Sequence, residues 1–377
     1  MRILLATNYQ PPRENSGGVE FAALELRKCW EQDGHSVTWV SSDIPPGNPL
    51  APPGSIRIPS ANFLQERWSI DIPIINPLCL PRLSRAVREC DAVNCHSLAP
   101  GLSVVVMLLA IRHRKPTVVT QHVPLIDLSS RIVNRVQQFI LCQLARFCTH
   151  HDALLTFVSG MVRDWFIKHA RLSEKNLRIT PVGINQDDYR FVDDDERRTF
   201  KAKWKVAADK FNVLFIGRFE EKKGLVLLKE IAERTPEVQF NLRGSGTIDV
   251  ESWKLPNVAL LPFVSNKELR ELYGAHELLI LPSFGEGWPA VVPQAMACGL
   301  ASLISEEAFS GYGRDSEMFL VRKRTVDDFV GVLQLASKGG IPLLARRKTL
   351  SDYAMQTWDW QRTARIYVDL FRTLGAK

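Results

Sequence analysis

Short, continuous apolar runs alternate along this chain with longer segments whose apolar residues recur every three or four positions. The first pattern predicts buried strands and the second amphipathic helices. "RILLAT" (2–7) reads as a fully buried strand, "VEFAALELRKCWEQDG" (19–34) as a helix ending at Gly34, and "HSVTWVSS" (35–42) as a second strand. Strand, helix and strand at that spacing predict a parallel sheet. After an excursion with nine prolines over 45–81, the pattern resumes with "AVNCHS" (92–97), an apolar helix over 101–112 and "TVVTQHVP" (117–124). A long helical stretch and the strand "ALLTFVSG" (153–160) complete what reads as a first doubly wound domain.

The pattern then breaks. Residues 186–210, "QDDYRFVDDDERRTFKAKWKVAADK", are charged with few apolar runs and mark a boundary region, within which "DDDE" (193–196) reads as a solvated charge run rather than a metal site. A second alternating series follows, with strands at 212–217, 238–244, 258–263, 277–283 and 300–305 and helices at 224–234, 267–275 and about 289–298. The tail "WDWQRTARIYVDLFRTLG" (358–375) has helical spacing and stops at Gly375. The expectation is an α/β protein of two Rossmann-like domains, the first over 1–185 together with the closing helix 358–377 and the second over 186–357. In such architectures ligands bind at the carboxyl ends of strands, which directs attention to the loops that follow them.

Composition narrows the picture. At 377 residues the chain exceeds the size at which single cores stop growing, and 45% hydrophobic with 24% charged residues is ordinary for a folded protein. A formal charge of +7 suits anionic partners such as nucleotide phosphates or an acidic membrane face. Seven cysteines without a CxxC pair argue against both a disulfide framework and a zinc ribbon, and Cys142, Cys148, His150 and His151 match no common metal spacing. The N-terminus is too short in apolar residues for a secretory signal, and the longest apolar stretch, "GLSVVVMLLAI" (101–111), is too short to span a bilayer, so a cytoplasmic protein is expected. No aromatic and basic platform points to nucleic acid.

Four loops after strands carry chemistry. "NYQPPRENSGGVE" (8–20) brings Gly17 and Gly18 to a helix N-terminus, where a ligand can approach backbone N–H groups and the helix dipole favours an anion; a mobile loop needing positive φ explains the same pair. "IGRFEEKKG" (216–224) places Arg218 just after a strand and Lys223 just before a helix, a pair that could clamp a diphosphate or could pair with Glu220 and Glu221. "LRGSGT" (242–247) follows a strand with Gly244 and Gly246, weak as a cofactor box and plausible as a close-approach phosphate loop. "SFGEGWPAVVPQAMACG" (283–299) sets Glu286 before a helix that Pro289 would open, with Gln294 in its second turn, so both could face one ligand. His122 ends a buried strand before a proline, where it could donate, accept or carry charge.

In order, "SGGVE", "VVTQHVP", "VGIN…DDY", "IGRFEEKKG" and "FGEGWPAVVPQAMACG" resemble the motifs of glycosyltransferase family 4, over most of the chain. The resemblance implies the GT-B fold, two Rossmann-like domains facing across a cleft with the C-terminal helix crossing back to the first. It also implies a retaining transfer of a hexosyl unit from a UDP- or GDP-linked sugar, with no cofactor and no required metal. Carried onto this sequence, Arg218 and Lys223 would neutralise the diphosphate and Gly18 would offer it an N–H. Glu286 would contact the sugar, the N–H groups around Gly287, Trp288 and Pro289 would line its hydroxyls, and Val264 would meet the base. His122 would face the sugar and the acceptor hydroxyl. Gln294 departs from the pattern: family members commonly carry a second glutamate there for the ribose hydroxyls, and an amide keeps one acceptor oxygen but loses the charge.

For the acceptor, "LIDLSSRIVNRVQQFILCQLARFC" (125–148) interleaves Arg131, Arg135 and Arg146 with apolar residues at helical spacing, and Arg82, Arg85, Arg88 and "RHRK" (112–115) add charge to the same half. Such a face suits an anionic membrane surface and a lipid-linked or glycan acceptor in cell-envelope polysaccharide or glycolipid synthesis, on the inner face of the membrane; a core helix with a charged outer side explains it equally. Two other functions fit the same fold, a nucleotide-sugar 2-epimerase and a noncatalytic nucleotide- or glycan-binding relative.

Overall fold

The computed structural model describes residues 1–9, 18–44, 53–63, 72–99, 101–125, 131–284 and 286–376. The chain divides into two compact units, Met1–Gly183 with Trp360–Lys377, and Ile184–Asp359. Each is an α/β unit built on one parallel sheet.

The first sheet has seven strands: β1 (Arg2–Ala6), β2 (Ser36–Ser42), β3 (Ile56–Ile58), β6 (Ala92–His96), β7 (Thr117–Gln121), β8 (Leu154–Phe157) and β9 (Leu177–Ile179), in the order β3-β2-β1-β6-β7-β8-β9. A two-stranded antiparallel ribbon, β4 (Ser60–Ala61) with β5 (Ile74–Ile75), lies apart from it. Every residue of β6 and β7 is buried, the polar Asn94, His96, Thr117, Thr120 and Gln121 included, so both faces of the sheet are covered and neither strand alternates between an apolar and a polar side. The closing helix Trp360–Gly375 belongs to this unit and packs on the helix Gly18–Gln32 and on β7. Trp30 donates its indole N–H to the Ala364 carbonyl (3.0 Å), and the Tyr367 hydroxyl sits 2.8 Å from that of Thr120 and 3.0 Å from that of Thr180. Gly183, where the chain leaves the unit, must be glycine: a Cβ there would lie 2.5 Å from the Trp360 ring.

The second sheet has six strands: β10 (Phe211–Ile216), β11 (Val238–Arg243), β12 (Val258–Leu260), β13 (Leu278–Leu281), β14 (Ala301–Ser305) and β15 (Leu320–Arg322), in the order β12-β11-β10-β13-β14-β15. The charged segment expected to be a linker instead contains the helix Asp194–Lys203. Asp193 caps its first turn and Glu196 returns a bond to the cap, so the acidic run is a capping box rather than a loose loop. The helix expected from 289 starts at Val291, with Ala290 as its cap and Pro289 outside it. Gln294 is therefore in the first turn, not the second.

Candidate active site

The carboxyl ends of β10, β11 and β13 gather most of the residues singled out in the second unit. Between β10 and the helix Leu225–Arg234 the chain turns at Gly224, whose φ is +80°. A Cβ on Gly224 would sit 2.2 Å from the Pro282 carbonyl oxygen, so only glycine lets the β10 loop come this close to the β13 loop. The Phe284 N–H then donates to the Lys222 carbonyl (3.0 Å), and Lys223 Nζ donates to Glu286 Oε1 at 2.5 Å. With these side chains 19% and 11% exposed, each charge would be costly alone and each stabilises the other.

Arg218 is placed differently. Its side chain is 70% exposed and meets Glu220 at 3.0 Å, a solvent-screened pair worth about 0–1 kcal/mol. Arg218 and Lys223 thus both have carboxylate partners, but that of Lys223 comes from the β13 loop, 63 residues on, rather than from Glu220 or Glu221.

Gly244 and Gly246 have a packing explanation. A Cβ on Gly244 would lie 1.9 Å from the Gly217 carbonyl oxygen and one on Gly246 2.4 Å from that of Phe219. The two loops are laced by Gly217 N–H to Arg243 (3.1 Å) and Phe219 N–H to Ser245 (2.9 Å). The glycines therefore set the position of the Arg218 segment. Val264 is buried, and its carbonyl accepts from Arg243 Nη2 at 3.4 Å.

Around Glu286, itself buried, the turn is held from the inside. Tyr312 donates its hydroxyl to the Pro289 carbonyl (2.5 Å), and Trp288 lies edge-on to Tyr312 and to Trp358, with centroids 6.0 and 6.3 Å away. The Trp288 ring therefore joins an aromatic cluster. Gly287 is buried beside Gly311, where an added Cβ would come 3.0 Å from the Gly287 carbonyl. Gln294 Oε1 accepts from the Tyr273 hydroxyl at 3.1 Å. Burial holds the Tyr273 phenol well above its ordinary range, so it stays a donor, and the end of Gln294 left over is its NH₂.

In the first unit, Gly17 lies outside the described residues, while Gly18 opens the helix Gly18–Gln32 with nothing within 4 Å of where a Cβ would be. His122 follows β7 directly, and its Nε2 is 2.9 Å from Nδ1 of His96 at the end of neighbouring β6, with the rings stacked at 5.1 Å and 26°. Burial brings His122 down to about 4 and takes His96 well below the usual imidazole range, so both are neutral at pH 7 and exactly one proton lies between them. His96 Nε2 is buried without a partner. A bare ring nitrogen there costs less than a stranded N–H, so the favoured arrangement has His96 Nδ1–H donating and His122 carrying its proton on Nδ1. His122 is then a hydrogen-bond donor rather than a base. His96 escaped the sequence reading although it ends buried β6 beside the position where His122 follows β7; Arg243, Tyr273 and Tyr312 escaped it as well.

Among the described residues no group of three or more His, Cys, Asp or Glu side chains is placed to hold a metal, and all seven cysteines are free thiols. The helix Arg131–His150 buries Leu141, Cys142, Ala145 and Cys148 yet exposes Ile132, Val136, Phe139, Ile140 and Phe147. It is apolar both inward and outward. No described helix is long and apolar enough to cross a membrane.

Residues 16–188 match the family Glycosyltransferase Family 4, and residues 210–336 match Glycosyl transferases group 1. The chain is 25% identical to a D-inositol 3-phosphate glycosyltransferase of Geodermatophilus obscurus, over 94% of this chain and 84% of that protein. An uncharacterised 41.2 kDa protein from the cps region of Klebsiella pneumoniae is 30% identical, over 27% of this chain and 30% of the relative. The alpha-galactosylglucosyldiacylglycerol synthase of Streptococcus pneumoniae is 24% identical, over 34% of this chain and 37% of the relative. Among solved structures, sucrose-phosphate synthase from Thermosynechococcus elongatus superposes with a TM-score of 0.76 at 17% identity, covering 100% of this chain and 99% of the other. Anabaena HepE in complex with UDP also gives 0.76, at 16% identity, covering 99% and 100%.

Proposed function

Because this chain belongs to the glycosyltransferases of the GT-B fold, we propose that it moves a hexosyl unit from a UDP- or GDP-linked sugar to a hydroxyl of a lipid-linked or glycan acceptor, with retention and without a metal. The observation that carries this reading is the joint of the β10 and β13 loops: Gly224 permits it, and Lys223 and Glu286 meet there. Breaking a glycosyl–phosphate bond needs the departing diphosphate stabilised more than it needs a strong base. Lys223, exposed Arg218 and the uncapped N-terminus of the helix Leu225–Arg234 are a cationic set of that kind. Glu286, relieved of Lys223 as phosphate arrives, is free to hold sugar hydroxyls or an oxocarbenium-like centre. His122 contributes an N–H that orients oxygen as charge develops, and Gln294 contributes an amide toward the ribose.

The acceptor and the location belong to the same proposal. The exposed apolar stripe of the helix Arg131–His150, interleaved with Arg131, Arg135 and exposed Arg146, suits a protein that sits on the anionic inner face of a membrane. HepE in complex with UDP supports a nucleotide-sugar donor. The test is transfer from a panel of UDP- and GDP-sugars to lipid-linked acceptors, read with and without chelator. Transfer that survives chelation, keeps the anomeric configuration and is abolished by Lys223→Ala and by Glu286→Ala supports the reading. Undiminished turnover in both variants, or nucleotide binding without transfer across the panel, would overturn it.

A further inference from the structure

His96 has no task in the proposed reaction, yet it is the group that the His122 ring meets. It ends β6 in register with Thr120 of β7, two residues before His122, and the two strand ends are fixed to one another. Ser97 donates its N–H to the Thr120 carbonyl (2.8 Å), and the chain then turns through Ser97 itself at a φ of +77°, a left-handed conformation that a non-glycine residue keeps only where its surroundings impose it. Buried Gln121 accepts the Leu98 N–H on Oε1 (2.8 Å) and donates Nε2 to the Val123 carbonyl (2.7 Å), so one amide ties the loop after β6 to the loop after β7. Between these ties the two imidazoles lie stacked, with Nδ1 of His96 2.9 Å from Nε2 of His122.

Which nitrogen of an imidazole carries the proton is set by what the other nitrogen meets, most often a backbone carbonyl or a carboxylate. Here no carboxylate acts on either ring among the described residues, and the partner is a second neutral imidazole. The difference is chemical: a carboxylate would favour an imidazolium, whereas His96 gives one hydrogen bond and brings no charge. With His96 Nδ1–H donating, Nε2 of His122 is occupied as an acceptor, and the His122 proton sits on Nδ1, the nitrogen with no protein partner among the described residues. We propose that His96 is a positioning residue for the transfer, holding the His122 ring in one orientation and one tautomer so that a neutral N–H, and not a lone pair, faces the reacting oxygens. This rests on the proposed function, which brings those oxygens to His122.

The experiment pairs turnover with the ¹⁵N resonances of the full chain labelled at histidine, His122 being identified by its loss in His122→Asn. His96→Phe keeps an aromatic ring for the stack and removes the donor, whereas His96→Asn puts an amide N–H where Nδ1 stood and gives up the ring. The wild type should show His122 protonated on Nδ1. In His96→Phe that form should lose its dominance, and kcat should fall about tenfold to a hundredfold with little change in the donor KM, somewhat less than the loss of a whole transition-state donor. His96→Leu, equally without a donor, stands in if the phenylalanine variant does not fold. His96→Asn should keep the Nδ1–H form and recover most of kcat. A role in packing alone predicts the opposite order, the ring variant active and the amide variant impaired, and that order overturns the assignment, as does an Nε2–H form of His122 in the wild type. The resonances are read without substrate, so they decide the tautomer even if the wild type transfers nothing, a failure that would belong to the proposed function.

Discussion

The Lys223–Glu286 pair allows stability and chemistry to be separated. Replacing Lys223 by Met leaves a buried carboxylate without its cation. Full burial would make that cost about 3–5 kcal/mol, and with the two side chains 19% and 11% exposed we expect about 2–3 kcal/mol. In a unit of this size each kcal/mol moves the midpoint by about 2–4 °C, so the second unit should melt roughly 5–10 °C lower. Glu286→Gln should cost less, because the amide oxygen still accepts from Lys223 Nζ. The double variant should recover most of the loss, giving a coupling of about 1–2 kcal/mol, since no lone charge remains. All three should lose sugar transfer, the stable double variant included. The measurements are thermal and urea unfolding followed by tryptophan fluorescence, beside turnover on the same preparations. Additivity of the two single changes within about 0.5 kcal/mol would refute the argument, because the carboxylate would then be adequately solvated without Lys223.

Other consequences are as direct. Gly224→Ala should destabilise the second unit by about 3 kcal/mol or more, combining the cost of a left-handed alanine with the displacement of the Pro282 carbonyl, whereas Gly18→Ala should be near neutral; equal urea midpoints for the two would contradict the loop geometry. Trp360→Ala should cost about 3–5 kcal/mol in the first unit, because the ring is 4% exposed and fills the space above Gly183; hydrogen exchange showing the loss confined to the second unit would count against that placement. His122 and His276 are held at about 4 and His96 well below its usual range, so between roughly pH 4 and 6.5 the unfolded chain binds more protons than the folded one, and stability should fall as pH drops through that window. Each histidine contributes up to about 1.4 kcal/mol per pH unit, and urea titrations giving the same stability at pH 7 and pH 5 would exclude it. The same burial predicts no histidine step near pH 6.5 in the kcat/KM profile from His122, and the Nδ1–H form of its ring is open to a ¹⁵N NMR measurement.

What was legible in the sequence was whatever burial on both faces writes into a single short run. β13 and β14 are apolar or small at every position, and β6 and β7 keep an apolar core of two or three residues, so each was visible. β3, β9 and β15 have three residues each, too few for a period, and are strands only because a neighbour offers a ladder. The helix Asp194–Lys203 was hidden by its own charge. None of its residues is fully buried; apart from Phe200, which packs partly buried against the core, it is held by a cap and by ion pairs such as Arg197 with Glu277 at 2.5 Å, 80 positions away. Apolar periodicity cannot report a helix held in that way.

The site divides along the same line. Loops after strands were found because sheet topology puts strand ends on one edge, and that rule also contained His96 and Arg243, each the last residue of its strand. They were passed over because a lone histidine or arginine at a strand end has no motif. What distinguishes them is relational: His96 matters through the ring stacked on it, and Arg243 through a buried Nε that no hydrogen-bond partner meets among the described residues. Gln294 shows the converse. Read alone it is a glutamate that lost its charge, which suggests weaker binding. Beside Tyr273, whose hydroxyl already occupies the amide oxygen, it is a side chain turned to present donors. Restoring a carboxylate with Gln294→Glu would therefore not simply add a ribose acceptor. One oxygen would still take the Tyr273 proton and the other would place a charge where an N–H₂ now stands. Ribose hydroxyls can donate or accept, so under the proposed function the wild-type amide would bind them by giving a proton where a carboxylate would take one. The substitution is thus expected to change the orientation of the nucleotide rather than merely its affinity.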